Sequence, residues 1–379
     1  MQQYGLFFIL QWEVGAVLKI VSGLLFALMA TGCSANQHAE VSDSAKANKP
    51  AHHTKDGFRN LYLPGDYEPS TLAFLQARFF GDQKWPDEPH GYKKYWQKTQ
   101  PDSINQPGAE PRATLIGHST VLLQHQGINI LTDPVFSDRA SPFSFAGPKR
   151  YTQASLNLDD LPDIDAVVIS HNHYDHLDVA TVKALGNKTH WLVPLGLKDW
   201  FAQFDITNVT ELDWWQGYSL NGVKIQALPS QHWSKRTLFD SNKSLWASWS
   251  FQWDDFTAWF GGDTGYNDIQ FKEIGEALGQ VDLAMIPIGA YEPRWFMKYH
   301  HVNPDDAVKI FKDINAQSAF GIHWNTFVLT AEDVDAPPKA LEKALRFYQI
   351  NPERFTAMNI GATWTPMVDQ LAGNSTVPE

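Results

Sequence analysis

The stretch His171-Asn172-His173-Tyr174-Asp175-His176-Leu177-Asp178 sets three imidazoles and a carboxylate between positions 171 and 176. Imidazole nitrogen and carboxylate oxygen bind borderline divalent metals, zinc above all, without any thiol. The run before it, Ile164-Asp165-Ala166-Val167-Val168-Ile169-Ser170, is short, apolar and rich in β-branched residues, which predicts a buried strand. A strand end holds its side chains rigidly enough to aim several at one point, and the loop beyond leaves room for a substrate. Any single histidine here is explained as well by an exposed polar loop, or by a helix start that Asp178 caps. The whole pattern H-x-H-x-D-H after a buried strand is not, and it points to a dinuclear metallohydrolase.

One loop cannot fill two metal shells, so more ligands are expected at later strand ends. His232 follows Ala227-Leu228-Pro229-Ser230-Gln231, and His323 follows Phe320-Gly321-Ile322. Asp263 follows Ala258-Trp259-Phe260-Gly261-Gly262, where two glycines permit close backbone approach. A lone strand-end histidine is usually structural; three positions in the same setting extend the site. Asp133, within Thr132-Asp133-Pro134, is either a turn former or a residue that fixes a ligand histidine from behind. His118 is read as structural, and His52 and His53 as plain polar linker residues.

The elements that must position these residues alternate along the chain. Ala113–Gln124 and Ile128–Leu131 read as paired strands joined at Gln126-Gly127. Further strands are expected at His190–Val193, Val223–Leu228, Trp246–Trp253, Thr257–Phe260, Leu283–Pro287 and Ser318–Ile322. Helices are expected at Asp178–Leu185, Phe271–Leu278, Pro304–Ile314 and Pro338–Tyr348, without internal repeats. The sum is an α/β layered domain.

The 379 residues include 43% apolar types, enough for a large core, and carry a formal charge of −12 with both signs mixed. No basic stripe suggests nucleic acid as a partner, and no phosphate-binding glycine loop is present. The single cysteine, Cys33, excludes an internal disulfide, and no G-x-S-x-G elbow offers a serine nucleophile. Residues 18–33 read LKIVSGLLFALMATGC, a lysine and a short apolar run ending in small residues, like a bacterial lipoprotein signal that ends at a lipidated cysteine. The expected organisation is a signal at 1–33, a polar flexible tether at 34–56, and an aromatic-rich arm at 57–110 with a short helix near Thr71–Phe79. A hydrolase domain at 111–365 and a tail at 366–379 complete it. The corresponding location is the bacterial cell envelope, lipid-anchored to the outer membrane and facing the periplasm.

The order His171, His173, Asp175, His176, then His232, Asp263 and His323, resembles the metallo-β-lactamase superfamily. Within it the chain is most similar to the N-acylphosphatidylethanolamine phospholipase D family. The matching stretches include Gly117-His118-Ser119-Thr120, Gly147-Pro148-Lys149-Arg150, Gln231-His232-Trp233, Gly262-Asp263-Thr264-Gly265-Tyr266 and the run Ile286 to Tyr299. The resemblance covers roughly residues 110–350 and implies an αββα sandwich, two mixed β-sheets between helical layers, with metals at the edge where strands end. It implies two zinc ions per chain: one on His171, His173 and His232, the other on Asp175, His176 and His323, with Asp263 bridging.

The reaction it implies is attack of a metal-bridging hydroxide on phosphorus, releasing N-acylethanolamine and phosphatidic acid. Asp175, Asp263 and His301 take catalytic roles, and Tyr174 and His301 sit at positions the family uses near the substrate phosphate. Lys235 and Arg236 could attract a lipid phosphate. The expected partners are a phospholipid substrate and, through the anchor, a membrane surface, with a homodimer as one arrangement. A hydrolase of another ester, lactone or phosphodiester is the alternative, and a non-catalytic metal-binding envelope lipoprotein is a third.

Overall fold

Alternating apolar runs fold into fourteen strands among the residues that the computed structural model describes, namely 49–63, scattered positions between 76 and 89, and 92–366. Cys33 and its signal, most of the tether, all but Gln76 and Arg78 of the helix expected near Thr71–Phe79, and the tail from 367 lie outside the described residues; those two positions are helical. Among the described residues, no helix is long and apolar enough to cross a membrane.

The first half of the domain supplies β1 (Arg112–Gly117), β2 (Thr120–His125), β3 (Ile128–Thr132), β4 (Ala166–Val168), β5 (His190–Pro194) and β6 (Val209–Leu212). The second supplies β7 (Gly217–Leu220), β8 (Val223–Leu228), β9 (Ser248–Gln252), β10 (Thr257–Phe260), β11 (Val281–Pro287), β12 (Ala316–Ile322), β13 (Phe355–Thr356) and β14 (Thr363–Trp364). They form two seven-stranded sheets, ordered β14-β1-β2-β3-β4-β5-β6 and β13-β12-β11-β10-β9-β8-β7. Each is mixed: antiparallel pairing gives way to parallel pairing at β3–β4 in one and at β10–β11 in the other.

Successive side chains of a strand point to opposite faces, and here both faces are covered. Leu115, Val121, Leu123 and Val168 of one sheet meet Ile225, Trp249, Phe260 and Met285 of the other in a central core. The alternate positions Leu122, Leu131, Val167 and Trp191 face outward and pack with Val182 of α2 and Phe201 of α3. The helices are α1 (Pro101–Asn105), α2 (Val179–Leu185), α3 (Lys198–Ala202), α4 (Gln270–Leu278), α5 (Arg294–Met297), α6 (Pro304–Asp313) and α7 (Ala336–Phe347). On the second sheet, Ala284 and Ile286 of β11 pack with Phe271 of α4, Val308 of α6 and Leu341 of α7. The result is the αββα sandwich.

Three local expectations change. The strand predicted over Ala113–Gln124 is two strands, turning at His118-Ser119 with Gly117 opposite Thr120. Apolar residues on both sides hide this turn, and His118 takes the left-handed region, φ 53°. β6, β7, β13 and β14 were not expected; they are short edge or hairpin strands with weak apolar patterning. Finally, His52 and His53 are not plain linker residues: both bond to the carboxylate of Asp213, and His52 is buried.

Candidate metal centre

Parallel strands of both sheets end toward one edge, and each candidate residue lies just past such an end. β4 leads into the 171–178 loop, and β10 and β12 into Asp263 and His323; antiparallel β8 delivers His232 to the same place. α2 starts where the metal loop stops, because the Asp178 carboxylate caps it by accepting from the Ala180 amide. That carboxylate also accepts from the Ser137 amide and hydroxyl, which ties the loop to the segment after β3.

All seven candidate residues converge, and Oδ2 of Asp263 is the centre. It lies 3.1 Å from Nε2 of both His176 and His323, and 3.8 Å from Nε2 of His171 and His232. Nε2 of His171 and of His232 approach Nδ1 of His173 at 2.8 and 3.3 Å, making one half of the cluster. Oδ2 of Asp175 lies 3.2 and 3.5 Å from Nε2 of His323 and His176, making the other.

The ligand rings are oriented from behind. Asp133 Oδ2 is 2.6 Å from His176 Nδ1, and Asp133 Oδ1 accepts from the Ser170 amide at 2.6 Å. The Ser170 hydroxyl donates to Asp133 and lies 2.9 Å from His171 Nδ1. His232 Nδ1 lies 2.9 Å from the carbonyl of His300. Each of these three rings therefore donates from Nδ1 and turns the Nε2 lone pair inward, the arrangement that metal-binding histidines require. Gly262 has φ 56°, and a Cβ there would stand 2.5 Å from Cβ of Ser170. Glycine lets the strand end bearing Asp263 pass that close to the metal loop.

The cluster fits a divalent metal. Nε2 of His173 and His176 and Oδ1 of Asp263 are buried without hydrogen-bond partners. An all-nitrogen-and-oxygen donor set of this size suits zinc or a similar cation. Burial holds the His171 and His232 imidazoles well below their usual range and His173 down to about 4, so these rings are neutral with lone pairs free. Burial would raise Asp175 and Asp263, but the charge of His176 and its neighbours holds both well below the usual carboxylate range. Against the same burial, Asp263 and Asp175 raise His176 far above its usual range and His323 to about 9.

One residue read as structural and two that the sequence did not single out adjoin this centre. His118 Nε2 lies 3.1 Å from Asp175 Oδ2, and the His118 carbonyl accepts from the His323 amide. Its assignment to structure alone is therefore too narrow. The signal was the polar Gly117-His118-Ser119-Thr120 between two apolar runs. Ser170 and the carbonyl of His300 carry no pattern that sequence reasoning could have used.

A cavity of about 290 Å³ opens onto the cluster. His173, Tyr174, Asp175, Asp263 and His301 line its metal end, and Trp233, Phe296, Met297 and Leu329 are among its apolar walls. His301 Nδ1 faces Asp263 Oδ2 at 3.9 Å. Its carbonyl is held by Arg294, itself paired with Asp306 in the first turn of α6. Arg236 does not reach out for a ligand as expected. Its guanidinium stacks 4.1 Å over Tyr174 and donates to the carbonyls of Asn172 and Leu177, bracing the metal loop.

A family profile described as the beta-lactamase superfamily domain matches residues 128–324. The N-acyl-phosphatidylethanolamine-hydrolyzing phospholipase D 1 of Caenorhabditis elegans is 45% identical over 266 residues, which cover 66% of this chain and 75% of that protein. The mitochondrial N-acyl-phosphatidylethanolamine-hydrolyzing phospholipase D of Saccharomyces cerevisiae is 39% identical over 237 residues, covering 60% of this chain and only half of that protein. Among solved structures, the metallo hydrolase Igni18 of Ignicoccus hospitalis matches with a TM-score of 0.52 at 20% identity, covering 68% of this chain and 98% of that one. That last likeness concerns the fold alone.

Proposed function

We propose, from the premise that the chain belongs to the metallo-β-lactamase superfamily and is a metal-dependent hydrolase of that fold, that it is a dinuclear zinc phosphodiesterase. Its substrate on this reading is N-acylphosphatidylethanolamine, cleaved in the phospholipase D sense to N-acylethanolamine and phosphatidic acid. The observation that carries the reading is the position of the cluster at the end of a mostly apolar cavity. A phosphodiester can meet the metals there while an acyl chain lies along Trp233, Phe296, Met297 and Leu329. The names of the two phospholipase D relatives supply the choice of lipid.

When bound, two zinc ions would acidify a water toward hydroxide and neutralise charge growing on the phosphoryl oxygens. His171, His173 and His232 would hold one ion, Asp175, His176 and His323 the other, and Asp263 would stand between them. With an acyl chain seated along the apolar walls, little water would remain at the phosphorus, which would strengthen each charge interaction there. His301 and Tyr174 flank the phosphate position. His301 presents a ring nitrogen beside Asp263, while the Tyr174 hydroxyl is committed to the carbonyl of Arg236 and leaves its ring as a wall.

Large apolar side chains on three segments stand in solvent: Phe145 is 79% exposed, Leu238 79%, Phe239 82% and Trp295 60%. On this reading a phospholipid surface is the partner that covers them. Anchoring through a lipidated Cys33 in a bacterial envelope would bring that surface close; this part rests on the sequence pattern alone.

The test is to load the protein with zinc and supply N-acylphosphatidylethanolamine in detergent, following both products by mass spectrometry. Release that depends on metal and disappears in His171→Ala supports the assignment. Cleavage of a lactone or simple diester without release from the lipid would leave the hydrolase and remove the lipid.

A further inference from the structure

Residues 50–60 run against the turn between β6 and β7 and the loop between β8 and β9, and are held at three points. At the first, Nε2 of His52 and of His53 lie 2.6 and 2.7 Å from the two carboxylate oxygens of Asp213. The His52 ring stacks on Trp214 with centroids 4.2 Å apart. Separations this short are those of hydrogen bonds to a charged acceptor. At the second point, the Phe58 amide donates to the carbonyl of Asn242. A Cβ on Gly57 would sit 2.1 Å from that same oxygen, so glycine alone lets the segment come so near.

The third point touches the metal centre. Nδ2 of Asn60 donates to the carbonyl of His232 at 2.8 Å, and its Oδ1 accepts from Nε1 of Trp246 at 3.2 Å. Trp246 also donates to the carbonyl of Ser230, so the Asn60 amide joins the two stems of the loop at the residue that carries the ligand. The anchors are linked to one another: Nε1 of Trp214, under His52, donates to the carbonyl of Trp246 at 2.6 Å. At its ring, His232 is held from behind through Nδ1 by the carbonyl of His300, while Nε2 faces His173 and Asp263. Its carbonyl is held by Asn60, while the backbone of the preceding Gln231 is tied to Thr264 and Gly265.

We propose that Asn60 is a positioning residue, and that residues 50–60 form a strap completing the half of the metal centre built from His171, His173 and His232. The segment lies some 110 positions before the metal loop and outside the stretch that the family profile matches. A backbone carbonyl beside a ligand needs a partner, and a carbonyl allowed to rotate would move the ring with it. Asn60 supplies the donor from a segment distant in sequence, so the ligand is set only once the strap has docked.

The proposal rests on His232 being a metal ligand. The experiment is a chelator competition on the full chain that resolves two zinc affinities, with thermal melting of the metal-free protein beside it. Asn60→Asp keeps the acceptor for Trp246 but removes the donor to His232. It is expected to weaken one zinc about tenfold, the lower end of what outer contacts contribute, with the other zinc and the metal-free melting point unchanged. His52→Gln combined with His53→Gln, which loosens the first anchor away from the metals, should weaken the same zinc to a smaller degree. Wild-type affinity for both zinc ions in Asn60→Asp overturns the proposal. Equal loss of both together with a lowered metal-free melting point also overturns it, since that marks a merely structural contact. If Asn60→Asp does not fold, the double histidine variant decides by the same two readings. Wild-type protein that binds no zinc would instead remove His232 as a ligand, a separate failure.

Discussion

Oδ2 of Asp133, just past the end of β3, lies 2.6 Å from Nδ1 of His176 and also accepts the Ser170 hydroxyl proton. One carboxylate thus sets the orientation of a ligand ring on each side of the centre, since Ser170 in turn contacts Nδ1 of His171. Both oxygens are buried and engaged, so an amide cannot replace them without pointing a donor at a donor. Asp133→Asn should retain the fold and bind zinc about 10–100-fold more weakly. Chelator competition measures this, and an unchanged affinity would remove Asp133 from the orienting role.

The metal-free centre should respond to pH in a definite sense. Despite burial, Asp263 and Asp175 raise His323 to about 9. A raised histidine contributes stability that is present in full below its unfolded value, about 6.5, and is lost as pH rises through its folded value. The melting point of metal-free protein should therefore fall between about pH 6.5 and 9. Zinc must displace the same proton, so the rise in melting point on adding zinc should grow across that interval. Flat behaviour of both quantities would contradict the prediction.

His118 braces the second half of the centre through a backbone conformation that few residues tolerate. Asparagine accepts φ near 53°, so His118→Asn should preserve the hairpin between β1 and β2 while losing the contact with Asp175. The expected outcome is a kcat lower by about tenfold with KM little changed. A loss confined to thermal stability would return His118 to a structural role.

Gly262→Ala joins two costs at one position, a left-handed φ and a Cβ 2.5 Å from that of Ser170. Backbone strain of this kind amounts to about 1–3 kcal/mol. Displacement of Ser170 would also disturb Asp133 and His171. Urea unfolding should show the stability loss, and zinc binding should weaken with it. Wild-type values for both would show that the segment relaxes freely.

The exposed apolar side chains give a surface test. Phe145→Ser with Phe239→Ser should raise the apparent KM on lipid vesicles while leaving turnover of a short soluble diester as it was. Binding to vesicles is measured by sedimentation. An equal effect on both substrates would place these residues in folding or catalysis and not at a lipid surface.

The chemistry was legible in the sequence because it is local. The candidate ligands of the 171–178 loop lie on one short stretch of chain after one buried strand, so their types and spacing alone point to a metal site. His232, Asp263 and His323 were legible for a related reason: strand ends can be located from apolar runs, and parallel strands in a layered fold finish at a common edge. The alternation of apolar runs gave a layered α/β domain; the αββα sandwich was what the family resemblance implied, and the central core with its two outer ones bears it out.

Tertiary structure decided what depends on contacts between distant segments. The turn that delivers His118 is concealed by apolar residues on either side, and only strand pairing reveals it. Arg236, which by charge alone could greet a phosphate, is taken up by Tyr174 and two loop carbonyls supplied by packing. His52 and His53 read as the end of a polar tether, and Asn60 as an unremarkable residue of the arm that follows it. Their partners, the carbonyl of His232 and the carboxylate of Asp213, lie more than 150 positions away. A hydrogen bond of that kind leaves no period or spacing in the sequence. It exists only because the folded sheets bring the two segments within 3 Å of each other.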